Sequence, residues 1–199
     1  MAHYFAAQPE TALQLSTIKI RFKRQTYDFY SGSDVFSKTR FDPGSALLLA
    51  SALESKATNV LDLGCGIGIS GLLFKRFNPA AKVFLSDINE RAVLLAQKNA
   101  ALHGVRVEMQ AGDLFKPWKD KLFDLVLLNP PQKAGRDLNY QMIEESQSHL
   151  TTNGILYVVA RHNKGGKMLR DKMQEVFGNV QDIGKKGVFR VYVSKKVAG

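Results

Sequence analysis

The stretch Val60-Leu61-Asp62-Leu63-Gly64-Cys65-Gly66-Ile67-Gly68-Ile69-Ser70-Gly71 constrains the fold more than any other part of this 199-residue chain. Its apolar start reads as a buried strand. The glycines let the backbone turn sharply and approach a ligand, and a helix then runs through Phe77 until Asn78-Pro79 stops it. This is the first βα turn of a nucleotide-binding α/β fold. Val83-Phe84-Leu85-Ser86-Asp87 is a second strand ending on a carboxylate about twenty residues past the glycines, where an acid reaches ribose hydroxyls.

Gly66, Gly68 and Gly71 also satisfy G-x-G-x-x-G, which admits a nicotinamide dinucleotide. Asp62 argues against it. An acid at the strand end would repel a pyrophosphate but suits the ammonium of an amino-acid moiety, held directly or through water. The bland alternative is a capping or turn carboxylate.

Phe123-Asp124-Leu125-Val126-Leu127-Leu128 is a strand buried on both faces, and it ends in Asn129-Pro130-Pro131-Gln132. The prolines stiffen the exit from the sheet and hold the Asn129 amide and nearby carbonyls in place. Such a rigid acceptor cluster suits methyl transfer to an amino group on a flat ring or an amide. If Asn129 Oδ1 and the Pro130 carbonyl each accept one N–H, the lone pair is directed outward and developing positive charge meets fixed dipoles. Asn-Pro-Pro also serves elsewhere as a plain strand terminator. Hydride transfer has no evident use for it.

The remaining elements fit one α/β domain. Ile18, Ile20 and Phe22 alternate with Lys19, Arg21 and Lys23, a strand with one apolar and one basic face, and Thr26 to Tyr30 completes a hairpin. The basic face is either an RNA-contacting rim or an edge guarded by lysine. Asp42-Pro43 is an N-cap and first-turn pair for a helix to Leu53. Asn89 caps a helix to about His103. Val105–Met109 is the third parallel strand, with Asp113 in the loop beside it, either an acceptor for a nucleobase amino group or a turn residue. Phe115 and Trp118 either wall the pocket or pack. A helix runs from Asp137 to Leu150, a fifth strand from Gly154 to Ala160, and a basic helix ends near Phe177. Residues 180–183 and 188–193 form a closing antiparallel pair. Lys164-Gly165-Gly166-Lys167 is too short for a P-loop and reads as a solvated turn or a phosphate contact.

A net charge of +10 favours a polyanionic partner through phosphate contacts and counterion release. There is no apolar run long enough to span a bilayer and no signal-peptide pattern. The single cysteine, Cys65, forms no internal disulfide. The expectation is a cytoplasmic protein without membrane contact, of unspecified oligomeric state, and no metal is expected.

With the glycine loop, Asp87, Asp113 and Asn-Pro-Pro in this order, the sequence resembles class I S-adenosylmethionine-dependent methyltransferases. Val35-Phe36-Ser37, Asp42-Pro43-Gly44-Ser45 and the two motifs above resemble the methyltransferase domain of small-subunit ribosomal RNA guanine-N2 methyltransferases, with the standalone archaeal members nearest in pattern. The resemblance implies a Rossmann-like seven-stranded sheet, mostly parallel with one antiparallel strand, and helices on both faces. It implies a single methyltransferase domain over residues 1–199, with a hairpin-bearing extension (1–34) before a catalytic core (35–199), and no room for the extra N-terminal copy of the bacterial enzymes. Asp62, Gly64, Gly66 and Gly68 then receive the methionine part of S-adenosylmethionine, with Cys65 and Ile88 among the cofactor-binding positions. Phe36 and Ser37 border the pocket, Asp87 binds the ribose, and Asp113 with Leu114 binds the adenine. Asn129, Pro130 and Pro131 form the catalytic motif, and Asn129 also borders the cofactor. Gln132 stands where the bacterial pattern has a base-stacking aromatic, and Lys38, Arg40, Lys133 and Arg136 hold RNA phosphates. The implied reaction is methylation of guanine N2 in ribosomal RNA. Its alternatives are methylation of a protein glutamine and a catalytically idle RNA-binding or assembly protein.

Overall fold

The computed structural model describes residues 14–33, 35, 41–131 and 135–198. The candidate positions Phe36, Ser37, Lys38, Arg40, Gln132 and Lys133 lie outside the described residues. A hairpin of β1 (Leu15–Phe22) and β2 (Gln25–Gly32) comes first. As the alternation predicts, Ile18, Ile20 and Phe22 are buried and Lys19 and Arg21 exposed. Lys23 and Arg24 make the turn at φ 44° and 63°, the left-handed geometry that matches strand twist in tight hairpins.

There follow α1 (Pro43–Ala52), β3 (Asn59–Leu63), α2 (Ile69–Phe77), β4 (Lys82–Asp87), α3 (Glu90–His103), β5 (Glu108–Ala111) and β6 (Phe123–Leu128). The chain closes with α4 (Arg136–Ser148), β7 (Leu150–Arg161), α5 (Lys167–Phe177), β8 (Gln181–Lys186) and β9 (Phe189–Lys195). The second sheet has the strand order β5-β4-β3-β6-β7-β9-β8. Strands β3 to β7 pair in parallel, and β9 runs antiparallel to both its neighbours. This is the expected seven-stranded Rossmann-like sheet with one antiparallel strand.

Both faces of the sheet are covered, which is why its central strands are apolar throughout. Val60, Leu125 and Leu127 point into one core with α1, α2, α3 and the hairpin. Leu61, Leu63, Val126 and Leu128 point into the other with α4 and α5. The hairpin's Ile20 and Phe29 belong to the first core. Asn99 on α3, fully buried, ties the hairpin down: its Nδ2 donates to the carbonyls of Tyr30 and Ile67 at 3.0 Å each, and its Oδ1 accepts from the Tyr30 N–H at 2.6 Å.

Two strand boundaries differ from the sequence-based expectation. The third parallel strand occupies Glu108–Ala111, not Val105–Met109. Gly104 at φ 62° ends α3, and the Val105 N–H closes back onto the Ala100 carbonyl, so Val105 belongs to the helix terminus. The fifth strand starts at Leu150, because Leu150 already pairs with Phe123.

Asp124 clamps the amino ends of three strands. Its carboxylate accepts from the Thr58 hydroxyl at 2.7 Å, the Asn59 N–H at 3.0 Å, the Thr58 N–H at 3.2 Å and the Thr151 hydroxyl at 3.3 Å. Partial burial raises the Asp124 pKa, but these donors outweigh it and hold the carboxyl below its ordinary range. Asp124→Ala strands donors and is expected to cost about 1–3 kcal/mol in urea unfolding. The clamp acts as a carboxylate, so its contribution is present above the unfolded pKa and fades as pH falls through the lower folded value.

Candidate active site

In open α/β sheets, ligands sit beyond the carboxyl ends of the strands where strand order reverses. Here that point lies between β3 and β6, and Leu63 pairs with Leu128 at the ends of these strands. The glycine loop after Leu63 and Asn129 after Leu128 therefore emerge side by side, one strand spacing or about 4.8 Å apart. A cavity of about 540 Å³ opens there, within the usual range for small-molecule sites.

The wall on the β3–β4–β5 side includes Asp62, Gly64, Cys65, Gly66, Asp87, Ile88, Asp113 and Leu114. Asp87, buried, uses one bond from each oxygen on backbone: Oδ2 accepts from the Gly66 N–H at 2.8 Å and Oδ1 from the Asn89 N–H at 2.9 Å. It thereby braces the glycine loop, and each oxygen keeps a lone pair. Burial lifts its pKa above the usual carboxylate range, against the pull of those two N–H donors. Gly64 stands at φ 71° with nothing within 4 Å of where a Cβ would sit, so this backbone is open to a ligand. Ile88 is 36% exposed, unusual for a large aliphatic side chain, on the cavity wall. Asp113 pairs with exposed Lys116 at 2.7 Å.

Asp62 is buried and its Oδ2 accepts from the Gly71 N–H at 2.8 Å. Desolvation pushes its pKa up to about 7; the Gly71 bond opposes this and the charge of Asp87 adds to it. Asp62 is thus a helix-bracing carboxylate and also an acid that has no cation partner among the described residues. Burial, and then the charges of Asp87 and Asp62, push the Cys65 thiol well up, so Cys65 stays protonated and serves as wall rather than nucleophile.

Asn129, Pro130 and Pro131 line the same cavity. Asn129 Nδ2 donates to Ser45 Oγ at 2.8 Å and to Asp42 Oδ2 at 3.3 Å. Ser45 Oγ in turn lies 3.3 Å from that oxygen, which also accepts the Ser45 N–H at 2.8 Å. A carboxylate only accepts. The amide end facing Asp42 must therefore be the NH₂, and among the described residues nothing donates to Oδ1, which keeps its lone pairs for another donor.

Two expected site residues stand off the cavity wall. Gly68 is not on the cavity wall; a Cβ there would lie 3.0–3.2 Å from Ala96, Leu72 and Leu85, so it is a packing glycine that opens α2 at φ 84°. Arg136 is also off the wall, exposed, beside Asp137 at 3.6 Å and over the Tyr140 ring. Phe115 and Trp118 are fully buried in the second core, which decides their open reading as packing. Sequence patterns did not reveal the ties of Ser45 and Asp42 to Asn129, nor Leu138, Met142, Arg161 and Phe189, which also line the cavity. Asn99 was missed too, although its place among Ala92, Leu95, Ala96 and Ala100 on the buried face of α3 was a usable signal.

Comparison with known proteins bears on the family and the fold. The family model "Methyltransferase small domain" matches residues 26–193. The uncharacterized protein YbxB of Bacillus subtilis is 33% identical, with 98% of each chain covered. Ribosomal RNA small subunit methyltransferase C of Haemophilus influenzae is 30% identical over 97% of this chain and 59% of its own length. The chain thus spans little more than half of that relative. The T. thermophilus 16S rRNA N2 G1207 methyltransferase RsmC, solved with AdoMet and guanosine, superposes with a TM-score of 0.80 at 23% identity, covering 95% of this chain and 52% of that one. The ribosomal protein L11 methylase of Lactobacillus delbrueckii gives 0.62 at 22% identity, covering 92% and 96%. At such identities these structures establish the fold alone. The chain belongs to the methyltransferase small domain family, and is a class I methyltransferase whose cofactor is S-adenosylmethionine.

Proposed function

We infer that this single-domain chain methylates an exocyclic amino nitrogen of a base in RNA, guanine N2 of small-subunit ribosomal RNA, and does so in the cytoplasm. The observation that carries the reading is the fixed Asn129 amide, its oxygen left without a partner among the described residues, in the cavity that the glycine loop also lines. The ribosomal RNA methyltransferase relatives and the net charge of +10 support RNA as the partner. Exposed Lys164 follows β7, and exposed Lys185 and Lys186 pair with Arg190 and Phe189 at the start of β9, cations that would meet phosphates on the side of the sheet where Arg161 and Phe189 line the cavity. No described helix is long and apolar enough to cross a membrane.

The residues fit the cofactor. Asp62 is a buried acid suited to its ammonium, Asp87 would present two lone pairs to the ribose, and Ile88, Leu114 and Asp113 would flank the adenine. The bound cofactor supplies an electrophilic methyl group on a sulfonium. Asn129 Oδ1 and the Pro130 carbonyl accept the two N–H groups of the target amine. Its lone pair is thereby directed at the methyl carbon, and the positive charge that develops on nitrogen meets two fixed dipoles. The methylated amine would carry one proton too many, and that proton would leave to water. An amide oxygen need not take it. A target base is presented single-stranded or flipped out of its duplex.

Asp62 gives this reading a pH signature. It must be ionised to pair with the ammonium, yet the free protein holds its proton up to about pH 7. Binding below that pH expels the proton, so affinity for S-adenosylhomocysteine should rise by up to roughly tenfold per pH unit and level off near 7. Titration calorimetry across this range checks it. Asp62→Asn should flatten the profile, and a flat wild-type profile overturns the assignment.

The activity itself is tested with labelled cofactor and RNA from cells lacking the protein, followed by mass spectrometry of the nucleosides. The predicted product is N2-methylguanosine. Label in protein extract as methylglutamine, or no label, contradicts the reading.

A further inference from the structure

Sheet order sorts the cavity into two halves. The residues assigned to the cofactor follow β3, β4 and β5, and Asn129 follows β6. Arg161 at the end of β7 and Phe189 at the start of β9 line the remaining side. These two are cross-strand partners, and the Arg161 guanidinium stands over the Phe189 ring at 5.5 Å. Phe189 is half-buried and pressed against the start of α1. A Cβ on Gly44 would lie 2.9 Å from Phe189 Cδ1 and Cε1, and equally close to Asp42 Oδ2. The lack of a side chain at Gly44 thus lets the ring approach the segment that holds Asn129. Among the described residues, Arg161 has no carboxylate or hydrogen-bond partner for its side chain, although it faces a cavity.

We propose that the Phe189 ring is the shelf on which the target base stacks, the base taking the place of the guanidinium over that ring, with Arg161 donating in the base plane to the carbonyl edge of a guanine whose amino group lies at Asn129. The assignment rests on the reading of the chain as an RNA-base methyltransferase. Two strand spacings, roughly 10 Å, separate β6 from β9, a width that accommodates a purine with its substituents. Aromatic rings stack on bases. An unpaired guanidinium also matches the acceptors O6 and N7 of guanine. The ring therefore supplies what the sequence lacks at Gln132, where an aromatic would follow the two prolines. Phe189 stands 60 residues beyond Asn129 in the chain, too far for any motif to join them. Only the pairing of β7 with β9 brings its ring to the cavity.

The test uses the full chain loaded with S-adenosylhomocysteine, and compares guanosine with 2-aminopurine riboside, which lacks O6, by NMR titration. Phe189→Ala should weaken guanosine binding on the order of tenfold, and Phe189→Tyr should restore it. Arg161→Gln should remove the preference for guanosine over 2-aminopurine riboside. S-adenosylhomocysteine affinity should be unchanged in all three. Guanosine binding that is unaltered in Phe189→Ala, or absent from the wild type, overturns the shelf. The methylation assay separates this from the broader reading. RNA methylation that survives Phe189→Ala unchanged removes the shelf and keeps the activity, whereas Phe189-dependent guanosine binding without RNA methylation keeps the shelf and removes the activity.

Discussion

Asn129→Ala is expected to lower turnover by roughly 10²–10³-fold while leaving the affinity for S-adenosylhomocysteine close to that of the wild type. In the proposed function, the side chain removed offers the acceptor that orients the amine, whereas the residues assigned to the cofactor follow β3, β4 and β5. Single-turnover methylation and calorimetry on the same preparation measure the two effects separately. Ser45→Ala sharpens the expectation. It leaves the Asn129 oxygen in place but removes the hydroxyl that takes its NH₂ at 2.8 Å, so the amide is held only by the longer 3.3 Å bond to Asp42. A partial loss of turnover, about tenfold and without loss of cofactor affinity, is the expected result. Asp42→Ala is less informative, because Asp42 also caps α1 through the Ser45 N–H and its removal costs about 1 kcal/mol of stability. Wild-type turnover in Asn129→Ala would remove Asn129 from the mechanism.

Asp87→Ala should act on the other half of the cavity, weakening S-adenosylhomocysteine binding about 100-fold. Two losses combine there: the charge-assisted contacts to the ribose, and the bond that holds the Gly66 N–H at 2.8 Å. A buried N–H left without a partner carries its own cost, so the glycine loop loosens as well. Asp87→Asn, which still offers one acceptor oxygen, should fall between the two. Removing the Asp87 charge also relieves Asp62, whose pKa it helps to raise, so the pH at which cofactor affinity levels off should move down. Calorimetry over the same pH range reads both effects. Undiminished affinity in Asp87→Ala contradicts the ribose assignment.

Much of this site was legible because its parts are local in sequence. The glycine loop, the carboxylates that end β3 and β4, and Asn-Pro-Pro at the end of β6 are each short strings whose backbone demands can be read residue by residue. The Asp42-Pro43 cap was readable for the same reason. The β5 boundary was not, since the alternation of Val105, Arg106 and Val107 looks like a strand while the helix terminus claims Val105 first. Gly68 looked like a ligand glycine because spacing alone does not separate a close approach to a cofactor from a close approach to Ala96 and Leu85. Ser45 and Asn129 are far apart in the chain, and so are Gly44 and Phe189. Their contacts exist only once β3, β6, β7 and β9 are laid in order, and no pattern in either segment announces them.

The most direct measurement is a crystal structure of the full chain with S-adenosylhomocysteine and guanosine. The predicted result is a cofactor sulfur facing Asn129, and a guanosine amino group donating to Asn129 Oδ1 and the Pro130 carbonyl. A cofactor whose sulfur points away from Asn129, or an amide turned so that Nδ2 faces the bound base, would contradict it.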